Sequence, residues 1–155
     1  MIFATAGTQL SFDRFAKIMD SISAEIEEDI IIQCPEKHYT PKSAKMVNFM
    51  NPDEYADIFA KARLIVAHAG IGTIVSAMQQ NKPIIIFPRV AALGEHRNEH
   101  QLATARQMEK LGYAYVAYDE EQLRELVINP DLRPMHTISE LASPSLIEAI
   151  RENIG

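Results

Sequence analysis

Arg63-Leu64-Ile65-Val66-Ala67-His68-Ala69-Gly70-Ile71-Gly72-Thr73 is the stretch that decides the fold. Its first half is a short apolar run without polar alternation, the pattern of a strand buried on both faces of a parallel sheet. Its second half is a turn with two glycines, after which Ile74, Val75 and Met78 continue at helical spacing. Strand, tight turn and helix in that order make a βα unit.

The same unit recurs on either side. Upstream, Met1 to Ala6 reads as a buried strand, and Phe12, Phe15, Met19, Ile22 and Ile26 form one stripe of a helix with Ser11 as its N-cap. Asp29 to Gln33 is a second strand, and the charged run before it, Glu25 to Asp29, reads as a solvated helix end. Pro35 to Lys45 is loop and Lys45 to Met50 a third strand. Asn51-Pro52-Asp53 then opens a helix with proline in its first turn, where the missing N–H does no harm. Downstream, Pro83 to Phe87 is a fifth strand, residues 88–97 a loop, and the next helix runs to Leu111 with Gly112 as C-cap. Tyr113 to Tyr118 is a sixth strand, and Glu120 to Ile128 a helix stopped by Asn129-Pro130. Residues 1–128 thus read as one α/β domain, a doubly wound Rossmann-like parallel sheet of about six strands. Residues 129–155 add a connector marked by Pro130, Pro134 and Pro144, then an amphipathic helix through Leu146, Ile147, Ile150 and Ile154. That helix either docks on a partner or packs on its own domain.

Composition narrows the function. The 155 residues are 47% hydrophobic, enough for a core without staples, and the lone Cys34 excludes an intramolecular disulfide and points to a reducing, cytoplasmic compartment. Fifteen basic against 21 acidic residues give a net charge of −6, and the basic residues are scattered, so no footprint for nucleic acid exists. No run approaches the ~18 apolar residues of a membrane-spanning helix, so membrane contact would be peripheral.

In a doubly wound sheet, ligands bind outside the carboxyl ends of the strands. There, Gly70 and Gly72 permit close backbone approach, and Thr73 opens a helix whose free N–H groups favour an anion, so a phosphate site is the inference. A plain tight turn is the alternative. Gly7-Thr8 offers a second glycine–hydroxyl pair, and His68 is either a satisfied core histidine or a ligand contact. A dinucleotide fingerprint fails in detail, because Val75 holds the third glycine position and Pro88-Arg89 stands where an acidic residue is expected. His96-Arg97-Asn98-Glu99-His100 matches a zinc-peptidase pattern, but rim residues of a pocket are the simpler reading.

His68-Ala69-Gly70-Ile71-Gly72-Thr73, Lys82-Pro83-Ile84-Ile85-Ile86 and Gly94-Glu95-His96-Arg97-Asn98-Glu99-His100-Gln101, with the opening Gly7-Thr8-Gln9 and Phe12-Asp13, together resemble the C-terminal domain of glycosyltransferase family 28, the donor half of a GT-B enzyme. Small stand-alone members of this kind are catalytic subunits of two-subunit UDP-sugar transferases of polysaccharide or dolichol-linked glycan synthesis. The resemblance implies that Gly70, Gly72 and Thr73 cradle a diphosphate faced by Gly7 and Thr8 and flanked by His68. It implies that Phe49 and Met50 hold uracil through their backbone, and that His100 and Gln101 grip the sugar hydroxyls. Ser76 stands where many relatives place a glutamate for the ribose. The implied reaction is inverting transfer from a UDP-sugar, UDP-GlcNAc or a UDP-hexose, to a lipid-linked acceptor. The helix N-terminus and Arg89 would stabilise the leaving diphosphate without a metal or other cofactor, and the chain has no Asp-x-Asp. The acceptor site and the general base are expected on a membrane-anchored partner subunit, while a homodimer is the other way to cover an apolar patch. A non-catalytic nucleotide-sugar-binding module and a nicotinamide-dependent oxidoreductase are the competing functions.

Overall fold

The computed structural model describes residues 1–7, 10–35 and 39–134. In chain order these form β1 (Ile2–Thr5), α1 (Asp13–Ser23), β2 (Ile30–Gln33), β3 (Lys45–Val47), α2 (Pro52–Lys61), β4 (Leu64–Ala67), α3 (Ile71–Gln79), β5 (Ile84–Ile86), α4 (His100–Leu111), β6 (Tyr115–Val116) and α5 (Glu120–Ile128). A single 3-10 turn, Ala91–Leu93, interrupts the loop after β5. The six strands are all parallel and lie in the order β3-β2-β1-β4-β5-β6, so the chain reverses its direction of winding between β1 and β4.

Side chains alternate across this sheet with the period of two that a strand imposes. Ile2, Ala4, Ile30, Ile32, Leu64, Val66 and Ile85 face one way and bury the stripe Phe12, Phe15, Met19 and Ile22 of α1 together with Leu123 and Val127 of α5. Phe3, Ile65, Ala67, Ile84 and Ile86 face the other way, against Phe59 of α2, Ile74, Ala77 and Met78 of α3, and Ala105 and Met108 of α4. Both faces are covered, which is why the strands read as uninterrupted apolar runs. Cys34 is buried, its thiol directed at the Phe12 carbonyl, and packs as a small hydrophobe.

Several boundaries differ from the sequence reading for identifiable reasons. Ser11 is not the N-cap of α1: Phe12 takes that position without a side-chain cap, and the Ser11 carbonyl is instead held by Arg89 Nη1 at 2.7 Å. β3 stops at Val47, because the Asn48 carbonyl turns to accept from Gln33 Nε2 at 3.3 Å. β6 is only two residues long, as an outer strand with a neighbour on one side needs no more. Glu28 is no solvated helix end: its carboxylate takes the Met1 amino group at 2.9 Å and Arg63 Nη2 at 2.6 Å, tying the amino ends of β1, β2 and β4 together. Pro52 opens α2 and Gly112 ends α4 in the left-handed region at φ 73°, both as expected, and Asn51 supplies the N-cap of α2. The helix expected over residues 145–154 lies outside the described residues.

Candidate functional site

The point where winding reverses opens a crevice at the carboxyl ends of β1, β4 and β5. A cavity of about 300 Å³ lies there, lined by Ala6, Gly7, Leu10, His68, Arg89, His96 and Gln101. A neighbouring cavity of about 460 Å³ shares Leu10 and His96 and extends under Gly94, Glu95 and Arg97.

The helices that start around this crevice differ from the outer ones. Asn51 and Asp119 cap α2 and α5 by accepting from Glu54 and Gln122 backbone N–H groups. No side chain caps α1 or α3, which follow β1 and β4 of the crevice, whereas at α4 the Asn98 Oδ1 accepts from the His100 N–H at 3.0 Å. Uncapped first-turn N–H groups carry the positive end of the helix dipole and are free for an incoming anion. At α3 the approach is open, since a Cβ added to Gly72 would meet nothing within 4 Å.

Gly7 and Gly70 have a different reason to be glycine. The His68 imidazole lies between their two turns: a Cβ on Gly70 would stand 2.8 Å from Nε2, and one on Gly7 3.1 Å from it. Gly7 also has φ 80°, where an L side chain is strained. Burial, then the neighbouring charges of Arg89 and His96, hold the His68 pKa down to about 4, so the ring is neutral at pH 7. Thr8 lies outside the described residues.

Two residues expected to touch the ligand are committed inside the protein. Arg89 is 2% exposed, and its guanidinium donates to the carbonyls of Ser11 at 2.7 Å, Leu10 at 2.9 Å and Ala6, while stacking 4.6 Å over the Phe12 ring. It shapes the loop after β1 from beneath and contributes its charge, in place of the free anion contact expected of it. The Gln101 carboxamide oxygen accepts from Ala69 N at 3.3 Å and Arg89 N at 3.0 Å, joining the turns after β4 and β5. His100, at the first turn of α4, is exposed, whereas Ser76 is half-buried on the second turn of α3.

At the far side of β1, Phe49 is 71% exposed and Met50 is buried. The segment is held by Gln33, which the sequence reading passed over: it accepts from Thr5 Oγ1 at 2.7 Å and donates to the carbonyls of Gly7 at 2.8 Å and Asn48 at 3.3 Å. A lone amide ending the run Ile30-Ile31-Ile32 was its signal. Glu95 stands in the family-like motif at residues 94–101 without an assigned role. It pairs with Arg14 at 2.8 Å and accepts from Val90 N at 3.0 Å, fixing the rim that carries His96. The histidines of the zinc-like pattern do not share a helix, because α4 begins only at His100, and no cluster of three metal-binding side chains occurs among the described residues.

Residues 1–148 match the family described as glycosyltransferase family 28 C-terminal domain. The chain is 31% identical over 121 residues to a UDP-N-acetylglucosamine--N-acetylmuramyl-(pentapeptide) pyrophosphoryl-undecaprenol N-acetylglucosamine transferase of Geobacillus kaustophilus, covering 70% of this chain and 32% of that protein. It is 35% identical over 68 residues to the UDP-N-acetylglucosamine transferase subunit ALG13 of Candida albicans, over 44% of this chain and 22% of that one. The chain therefore spans about a third or less of these curated relatives. A solution structure of ALG13 superposes with a TM-score of 0.57 at 18% identity, covering 90% of this chain and 92% of that chain, a likeness of fold.

Proposed function

The chain belongs to the glycosyltransferase family 28 C-terminal domain, and from that premise we propose that it binds the donor of an inverting UDP-sugar transfer to a lipid-linked acceptor. UDP-GlcNAc is the donor named in the relatives above, and a UDP-hexose is the other candidate. One observation carries the reading: an uncapped, open helix start at Gly72 sits beside a neutral histidine at the crevice of the sheet. The acceptor hydroxyl attacks the anomeric carbon, the bond from that carbon to the diphosphate oxygen breaks, and negative charge collects on the leaving phosphate. Backbone N–H groups of Ile71, Gly72 and Thr73 would meet that charge, with Arg89 adding potential from below. No metal is assigned to the step.

The general base and the acceptor site are assigned to a second subunit. The name of the ALG13 relatives, UDP-N-acetylglucosamine transferase subunit, supports this. Among the described residues no helix is long and apolar enough to cross a membrane, and attachment through that partner is part of the proposal. Deleting residues 144–155 tests whether the tail docks there; retained partner binding would remove that role.

Amide chemical-shift mapping with UDP tests the site. Shifts should cluster at Gly7, Phe49-Met50 and Gly70–Thr73; shifts confined to other parts of the sheet would overturn the assignment.

A further inference from the structure

The Gln101 side chain receives two backbone N–H groups at one atom, from Ala69 at 3.3 Å and from Arg89 at 3.0 Å. Only the carboxamide oxygen accepts, so the amide has one orientation and its NH2 faces the other way. That NH2 stands 2.9 Å from His68 Nδ1. A ring nitrogen that receives an N–H carries a lone pair, so Nδ1 is bare and, on a neutral ring, the proton sits on Nε2. Nε2 is the atom turned toward Gly7 and Gly70, in the wall of the cavity. The charged and titratable groups acting on the ring are Arg89 after β5 and His96 in the loop before α4, and both oppose its protonation.

We propose that Gln101 is a positioning residue that fixes His68, which the family resemblance already sets beside the diphosphate, as an Nε2–H donor aimed into the crevice. The diphosphate half of this rests on the UDP-sugar reading; the hold of Gln101 on the ring does not. The distinction matters chemically. A neutral Nε2–H donates a hydrogen bond to an oxyanion, whereas the other tautomer would turn a lone pair toward it. Gln101 was expected to grip sugar hydroxyls; its oxygen and one N–H are instead committed to fixing the turns and the ring.

Long-range 1H–15N spectra of the labelled full chain at pH 7.5 read the tautomer directly, with His68→Gln identifying the signal. The expected pattern is a protonated Nε2 and a bare Nδ1. In Gln101→Glu the carboxylate still accepts from Ala69 and Arg89 but offers Nδ1 an acceptor, so the proton should appear on Nδ1, with or without Nε2. A wild-type ring protonated on Nδ1, or a Gln101→Glu ring protonated on Nε2 alone, overturns the proposal. Should Gln101→Glu fail to fold, the wild-type pattern decides. UDP should then shift the Nε2 resonance. UDP that binds without moving it overturns the diphosphate half, and absence of UDP binding removes the functional reading while leaving the role of Gln101 in place.

Discussion

At the scale of single residues, glycines that look alike in the sequence do different work. Gly72 leaves room for a ligand, so Gly72→Asp should set a carboxylate against the diphosphate and abolish UDP binding while the thermal melt barely moves. Gly70 makes room for His68, so Gly70→Ala should both weaken UDP binding and cost about 1–3 kcal/mol in urea unfolding, as overpacking does. His68 also sets a pH dependence. Its folded pKa, about 4, lies below the ordinary 6.5, so between those values the unfolded chain binds a proton that the folded one refuses. Stability should be fully present above pH 6.5 and fall as pH drops toward 4; His68→Gln should flatten that window in pH-dependent unfolding. Nothing in the sequence separated Gly70 from Gly72, because the difference is made by an imidazole that arrives from the preceding residues and is oriented by Gln101, 33 positions away.

At the scale of elements, apolar runs and stripes located the strands together with α1 and α3, while α2 and α4 were placed by their end signals, Asn51-Pro52 and Gly112. The connections were less legible, because they are held by single side chains reaching across the chain. Arg89 clamps the loop after β1 through three carbonyls, and this is why α1 starts late and without the Ser11 cap. Arg89→Met should leave these acceptors unpaired in a buried place and cost about 3 kcal/mol or more by urea unfolding, with Arg89→Lys only partly restoring it. Asp20 of α1 does the same for the segment leading to β3, accepting from the backbone of Lys42 at 2.8 Å, Ser43 at 2.8 Å and Ala44 at 2.7 Å and from the Tyr39 hydroxyl. Those bonds hold its pKa low against the opposing effect of burial. Its contribution is present above the ordinary carboxylate range and lost in acid, so Asp20→Asn should destabilise the protein at neutral pH and shrink the acid dependence of amide exchange at residues 42–44.

For the whole molecule, a doubly wound sheet, a crevice bordered by the open start of α3, and membership of the glycosyltransferase family 28 C-terminal domain support the proposal that this chain holds the UDP end of a glycosyl transfer. The fold and the position of the crevice were both readable in the alternation of apolar runs and glycine turns. The inward commitment of Arg89 and Gln101 was not, because residue type alone does not tell whether a polar group at a strand end faces ligand or backbone. The most direct measurement is a calorimetric titration of the purified full chain with UDP in EDTA, with NADH run alongside. The account predicts saturable UDP binding that needs no metal, that Gly72→Asp abolishes, and that NADH does not reproduce. Saturable NADH binding with no heat from UDP would contradict it.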